Sequence, residues 1–279
     1  MSDSTVVLST ELKTFRCGDC RAEFTTTVVI GPSGSPLTSP SRCQACQAKA
    51  EAEERRRQEE EEREHRERIR QAREHDLLDM LRATGANPWE HGGCTLDNYD
   101  ASESGRTPLE AVREFVDAAR TAGKYDRVRG LYLFGETGTG KTHLAVAAAR
   151  ELLLEPGFAR TDIVFDHSLS LITRIQDTYN TRESTEAILD RRIEARVWIL
   201  DDLGSEKASD DVVRRLTMIF TERAGRPTLV TSNDPPDRLE SRHPEYFRLQ
   251  SRLGPAYFRT VSVRGRDRRF DRPALEVAS

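Results

Sequence analysis

Eight consecutive residues, Gly135-Glu136-Thr137-Gly138-Thr139-Gly140-Lys141-Thr142, fit G-x-x-x-x-G-K-[ST], the pattern of a loop that wraps phosphates. Three glycines let successive backbone N–H groups curl around the α- and β-phosphates, and a helix starting at the loop adds its positive end. Lys141 then reaches the β- and γ-phosphates, and the Thr142 hydroxyl ligates Mg²⁺. The nucleotide-contacting stretch is therefore Gly135 to Thr142, with His143 beside it. Only five of the 43 basic residues are lysines, so a lysine at the one position that needs a compact ammonium is informative. Farther on, the apolar run Val197 to Leu200 ends in Asp201-Asp202. Asp201 suits the Mg²⁺ shell, and Asp202 suits orienting and deprotonating the attacking water. The plainer alternatives are a glycine turn that binds nothing and an acidic pair that caps a turn.

A second constellation lies near the N-terminus. Cys17-Gly18-Asp19-Cys20 and Cys43-Gln44-Ala45-Cys46 are two C-x-x-C pairs 22 residues apart, a spacing that offers four thiolates to one tetrahedral Zn²⁺. Two disulfides or a redox C-x-x-C are the alternatives. Disulfides are rare in a reducing compartment, and a redox motif belongs in a strand–helix context that is missing here. So short a module buries little core, so the metal would supply its folding free energy. The fifth cysteine, Cys94, has no partner motif and is expected to be a small half-buried side chain.

These groups need elements to hold them. Leu131 to Phe134 reads as a short buried strand, and the helix-forming run Thr142 to Ala149 follows the loop. Downstream come Ile163 to Phe165 as a strand, a helix near Leu169 to Tyr179, the strand Val197 to Leu200, a helix from about Asp210 to Arg223, and the strand Thr228 to Val230. That alternation predicts an α/β fold, a parallel sheet covered on both faces, with ligands at the strand C-termini. Between the cysteine pairs, Phe24 to Ile30 is β-rich and residues 31–36 form a turn, as in a zinc ribbon. From Glu51 to Asp76 there are 11 acidic and 8 basic residues among 26, without Gly or Pro, many three or four apart. Such a stretch is helical through side-chain ion pairs, either as a solvated spacer or as a binding surface. Its apolar end, Leu77 to Leu81, can dock on a neighbour; Gly85-Ala86-Asn87-Pro88 ends it, and His91-Gly92-Gly93 reads as a hinge. The expected organisation is a zinc ribbon over 1–50, a charged helical linker over 51–84 and an ATPase domain over 85–279.

Composition narrows the class. The net charge is -4 and no apolar stretch approaches about 20 residues, so nothing is expected to span a membrane. Met1 to Glu11 lacks the pattern of a secretory signal, which points to a cytoplasmic address. From Arg238 to Arg272, ten arginines stand against four acids. That segment suits either single-stranded DNA, bound through its phosphates, or subunit and nucleotide contacts.

The order GETGTGKT, WILDDLG, LVTSN, RLQSRLG and GRDRR resembles the DnaC, DnaI and IstB group of AAA+ ATPases, bacterial and phage helicase loaders and transposition helpers, over roughly residues 94–271. The resemblance implies roles for further residues. Asn233 matches the sensor 1 position that polarises the attacking water or γ-phosphate. Arg252 matches the arginine finger that reaches a neighbouring subunit's ATP, with Arg248 one turn earlier as the alternative. Arg269 matches the sensor 2 arginine on the same subunit's nucleotide. Thr95 to Tyr99 resembles the family's lead-in to the core. A zinc module ahead of the ATPase resembles the DnaI type, whose N-terminal region grips the replicative helicase. Two features depart from the pattern: no helical lid domain of the usual size is expected, and Asp202 stands where most AAA+ enzymes carry Glu, which implies slow hydrolysis. The reading that results is an ATP-hydrolysing homo-oligomer that loads a replicative DNA helicase onto single-stranded DNA, with ATP, Mg²⁺ and Zn²⁺ as cofactors. A transposition helper and a zinc-and-helix adaptor with ATP as a structural switch are the alternatives.

Overall fold

A computed structural model describes residues 9–38, 40–123, 126–178, 184–205, 209–241 and 244–268. The chain divides into two compact units, Met1–Ile69 and Arg70–Ser279.

In the first unit, β1 (Ser9–Arg16) and β2 (Glu23–Ile30) pair antiparallel, with Phe15 opposite Phe24 and Arg16 opposite Glu23. Sequence reading anticipated β2; β1 is too polar to stand out, its STELKTFR carrying only two apolar residues. The first cysteine pair sits in the hairpin's turn. The second sits at the start of α1 (Gln44–Thr84), which begins inside that pair rather than after it. Among the described residues of this unit, Cys17, Val28 and Ile30 are the buried apolar side chains. Three such groups cannot offset the ordering entropy of some 40 residues, so a cross-link of another kind is required.

Most of α1 is held as its composition predicts, by i,i+3 and i,i+4 pairs such as Arg57 with Glu54 (3.0 Å) and Glu61 (3.6 Å). Its last turns differ. Leu77, Met80 and Leu81, spaced i, i+3, i+4, are fully buried in the second unit's core. Gly85, at φ 80°, ends the helix in the left-handed conformation that glycine adopts freely.

The second unit is built on a five-stranded sheet, all parallel, in the order β4-β5-β6-β3-β7. The strands are β3 (Gly130–Phe134), β4 (Ile163–His167), β5 (Val197–Leu203), β6 (Thr228–Ser232) and β7 (Phe258–Ser262). Alternation along β5 shows why both faces are covered. Val197 and Ile199 point into one apolar core with α3 (Thr107–Thr121) and α4 (Lys141–Leu154). Trp198 and Leu200 point into the other, with α5 (Ser168–Asp177), α6 (Thr185–Glu194), α7 (Asp210–Glu222) and α8 (Tyr246–Leu253). The α/β class and the parallel sheet expected from the sequence are thus observed.

The segment expected to hinge is instead packed. Pro88–His91 forms a short helix, here α2, capped by the Asn87 side chain, which accepts from the Trp89 N–H at 3.1 Å. A Cβ on Gly92 would lie 2.5 Å from the Pro88 carbonyl oxygen and 2.7 Å from a Leu78 methyl. Arg150 of α4 closes the arrangement. Its guanidinium donates to the Gly92 and Cys94 carbonyls and pairs with Glu74 of α1, and Cys94 is buried rather than half-exposed.

Candidate functional site

The phosphate loop joins β3 to α4, at the C-terminal edge of the sheet. Gly140 precedes the helix at φ 98° and Gly138 stands at φ 78°, a region closed to most L side chains. A Cβ on Gly138 would also collide with the Asp267 carboxylate. Lys141 is buried, and its ammonium donates to the carbonyls of Gly135 and Glu136, both at 2.7 Å. The Thr139 hydroxyl donates to Glu136 O at 2.9 Å and tightens the turn. His143, in the first turn of α4, sets its Nε2 against Thr95 O at 2.8 Å and its ring edge-on to Tyr99.

One strand, β5, brings both acids to this loop. Asp201, buried on β5, accepts from the Thr142 hydroxyl at 3.0–3.1 Å. Burial pushes its carboxyl up; the Thr231 hydroxyl, His167 and the Thr142 hydroxyl pull it down, and Asp202 pushes it up again. A β-bulge follows. Leu200 pairs with Val230 and Leu203 with Ser232, so Asp201 and Asp202 together face the single residue Thr231. Within the bulge Asp202 adopts φ 60° and turns its carboxylate toward Asn233, whose Nδ2 donates to it at 3.2 Å.

An open cleft of about 400 Å³ collects these groups. Thr137, Gly138, Gly140, Lys141, Thr142, His143, Asp201, Asp202 and Asn233, all singled out in the sequence, line it. The donor set fits a small hard cation, because a threonine hydroxyl and a carboxylate converge at hydrogen-bond distance beside the loop. Arg252 and Arg248 do not line the cleft. Arg252 is half-buried on α8 and makes no hydrogen bond or ion pair among the described residues, whereas Arg248 pairs with Glu245 at 3.3 Å. Arg269 lies outside the described residues.

Sequence reasoning missed several groups here. His167, the residue of β4 level with Asp201, lines the cleft, and a polar residue closing an apolar run in a phosphate-loop chain is the signal that could have found it. Its strand end is fixed by Asp166, which accepts from Arg192 at 3.0 and 2.6 Å and from Trp198 Nε1 at 2.8 Å. Arg268 also lines the cleft, with its N–H on Gly138 O at 3.2 Å and its guanidinium 5.6 Å from the Tyr99 ring. Thr231 was read only as part of a motif.

In the first unit, the sulfur atoms of Cys17, Cys20, Cys43 and Cys46 lie within 4.8 Å of one another, and Cys20 and Cys43 are 3.7 Å apart. Tetrahedral Zn–S bonds of about 2.3 Å imply sulfurs about 3.8 Å apart, so the spacing fits zinc. No disulfide forms among these cysteines. Backbone N–H groups of Cys20 and Cys43 pull the Cys17 thiol down to about 6, while hydrogen bonds from Cys43, Cys20 and Cys17 push Cys46 up to about 12. Four thiols this close cannot all ionise alone, and a divalent cation removes that conflict.

Comparison with known proteins gives a consistent picture. The family described as IstB-like ATP binding protein matches residues 60–242. The replicative helicase loader DnaC of Escherichia coli (strain K12) is 26% identical over 190 residues, covering 65% of this chain and 73% of that protein. The replicative helicase loader DnaI of Bacillus subtilis (strain 168) is 28% identical over 155 residues, covering 53% of this chain and 46% of that protein. A crystal structure of DnaI superposes with a TM-score of 0.50 at 25% identity, covering 65% of this chain and 94% of that chain.

Proposed function

This chain belongs to the IstB-like ATP-binding protein family, and from that membership we infer that it hydrolyses ATP in order to deliver a replicative DNA helicase onto single-stranded DNA. The observation that carries the reading is the convergence, in one cleft, of Lys141, the Thr142–Asp201 pair and the Asp202–Asn233 pair. A binding-only nucleotide switch needs the first two; the third supplies what activating a water requires and so supports hydrolysis.

Lys141 and the loop N–H groups neutralise the β- and γ-phosphates. Thr142 and Asp201 would hold Mg²⁺, which supplies the remaining charge compensation when bound. Asp202 orients the attacking water and accepts its proton, and Asn233 keeps that carboxylate aimed while polarising the γ-phosphate side. Arg252 does not line its own chain's cleft, which supports a role in trans, on ATP held by a second copy. Arg269 is proposed to contact the same chain's nucleotide. In the first unit Cys17, Cys20, Cys43 and Cys46 would hold structural Zn²⁺, and the module they fold is the proposed helicase grip. Likeness to DnaC and DnaI supports the loader over a transposition helper, and the basic segment from Arg238 supports contact with DNA phosphates. Among the described residues no helix is long and apolar enough to cross a membrane, and a cytoplasmic address is proposed with the loader role. Steady-state ATPase with and without single-stranded DNA, together with capture of the resident helicase, tests the proposal. Turnover with no helicase bound would leave an ATPase and remove the loader.

A further inference from the structure

Among the described residues, the Thr231 side chain hydrogen-bonds to both acids of the cleft. Its Oγ1 donates to Asp201 Oδ1 at 2.6 Å and accepts from the Asp202 N–H at 2.8 Å. It is 1% exposed, so neither contact is exchanged for bulk water. The bulge explains why one hydroxyl can do both. Two residues of β5 are accommodated opposite one of β6, and that one residue is Thr231. Asp201 thereby has two hydroxyls on it, Thr142 from the phosphate loop and Thr231 from β6. Asp202 is held at φ 60°, where its own N–H is turned inward and needs an acceptor.

We propose that Thr231 is a positioning residue that sets both acids at once, aiming Asp201 at the Mg²⁺ position and holding the left-handed Asp202 backbone that points its carboxylate at the attacking water. The proposal rests on the reading of the cleft as a hydrolytic site. A chain in which the two acids were set separately would show independent defects. Here a single hydroxyl links them, so its loss must appear in metal use and turnover together.

The test is Thr231→Val, which keeps the branched shape and removes only the hydroxyl, beside Thr231→Ser, which keeps the hydroxyl. Folding is verified by circular dichroism melting, and binding by a fluorescent ATP analogue titrated at several Mg²⁺ concentrations. Thr231→Val is expected to lower kcat by about tenfold or more, with KM for ATP changed less than about threefold. It should also raise the Mg²⁺ concentration for half-maximal nucleotide binding by about threefold or more, a readout independent of turnover. Thr231→Ser should restore both to within about threefold of the parent. Should Thr231→Val not fold, Thr231→Cys, whose thiol is a weak donor and acceptor, replaces it and must show the same two defects in milder form. Parent-level kcat and Mg²⁺ requirement in a folded valine or cysteine variant overturns the role of Thr231. Asp202→Asn is assayed alongside. Parent-level turnover there overturns Asp202 as the base and Thr231's role with it, loss there with no defect at Thr231 overturns only Thr231's role, and a parent that does not turn over ATP at all overturns the hydrolytic reading.

Discussion

Replacing Asp202 with Asn separates binding from hydrolysis more cleanly than any other change in the cleft, and the backbone is the reason. At φ 60° an ordinary L residue costs about 1–2 kcal/mol, but Asp and Asn both tolerate this region. An alanine variant would therefore confuse backbone relaxation with lost chemistry, whereas asparagine preserves the turn and the Asp202 N–H bond to Thr231. The side-chain contact survives too, because an amide can present its oxygen to Asn233 Nδ2 where the carboxylate now accepts at 3.2 Å. Thermal stability should stay within about 0.5 kcal/mol of the parent, as for substitutions that disturb no packing. What disappears is the proton acceptor, and general-base catalysis contributes about 10²–10⁴-fold, or about 3–5 kcal/mol. The assay is phosphate release under saturating Mg-ATP, paired with direct titration of a fluorescent nucleotide. Turnover should fall by at least about a hundredfold while affinity changes by less than about threefold. Turnover within threefold of the parent would falsify the assignment of Asp202 as base. Equal loss of affinity and turnover would instead show that Asp201 and Asp202 have each other's roles.

Arg252→Ala should bind ATP as the parent does and lose assembly-dependent hydrolysis, and mixing it with Asp202→Asn should restore partial activity, since some interfaces then pair an intact Asp202 with an intact Arg252; no recovery at any ratio would count against action in trans. Elemental analysis should find one zinc per chain, and replacing both Cys43 and Cys46 with Ser should remove it, with retention of stoichiometric zinc overturning the four-thiolate site. A truncation starting at Arg70 should keep nucleotide binding and lose the helicase, whereas one starting at Cys94 also deletes Leu77, Met80 and Leu81. At about 1.5–3 kcal/mol per buried side chain, the shorter fragment should melt far below the longer; equal melting temperatures would show that the end of α1 adds nothing to that core.

How much of this could be read in advance follows from how far apart the cooperating atoms lie along the chain. The phosphate loop is eight contiguous residues whose glycines, lysine and threonine each answer a local geometric need, so type and spacing suffice to recognise it. The same holds for the two C-x-x-C pairs, for the charged helix with its i,i+4 partners, and for the strands that alternate with helices toward a parallel sheet. Asp201-Asp202 was legible because it closes an apolar strand. Other features depend on pairing between distant segments. The bulge that sets two acids against Thr231 exists only because β5 pairs with β6 out of step, a register that neither strand's composition reveals. Arg150 reads as one charge in an apolar helix until the fold brings Gly92, Cys94 and Glu74 around its guanidinium. His167 becomes a cleft residue only when β4 is laid beside β5. Local sequence determined which groups could do chemistry, because loop and helix geometry is decided within a few residues. The tertiary structure decided how they are aimed, because aim depends on strand register and on hydrogen bonds between side chains about 30 to 80 residues apart.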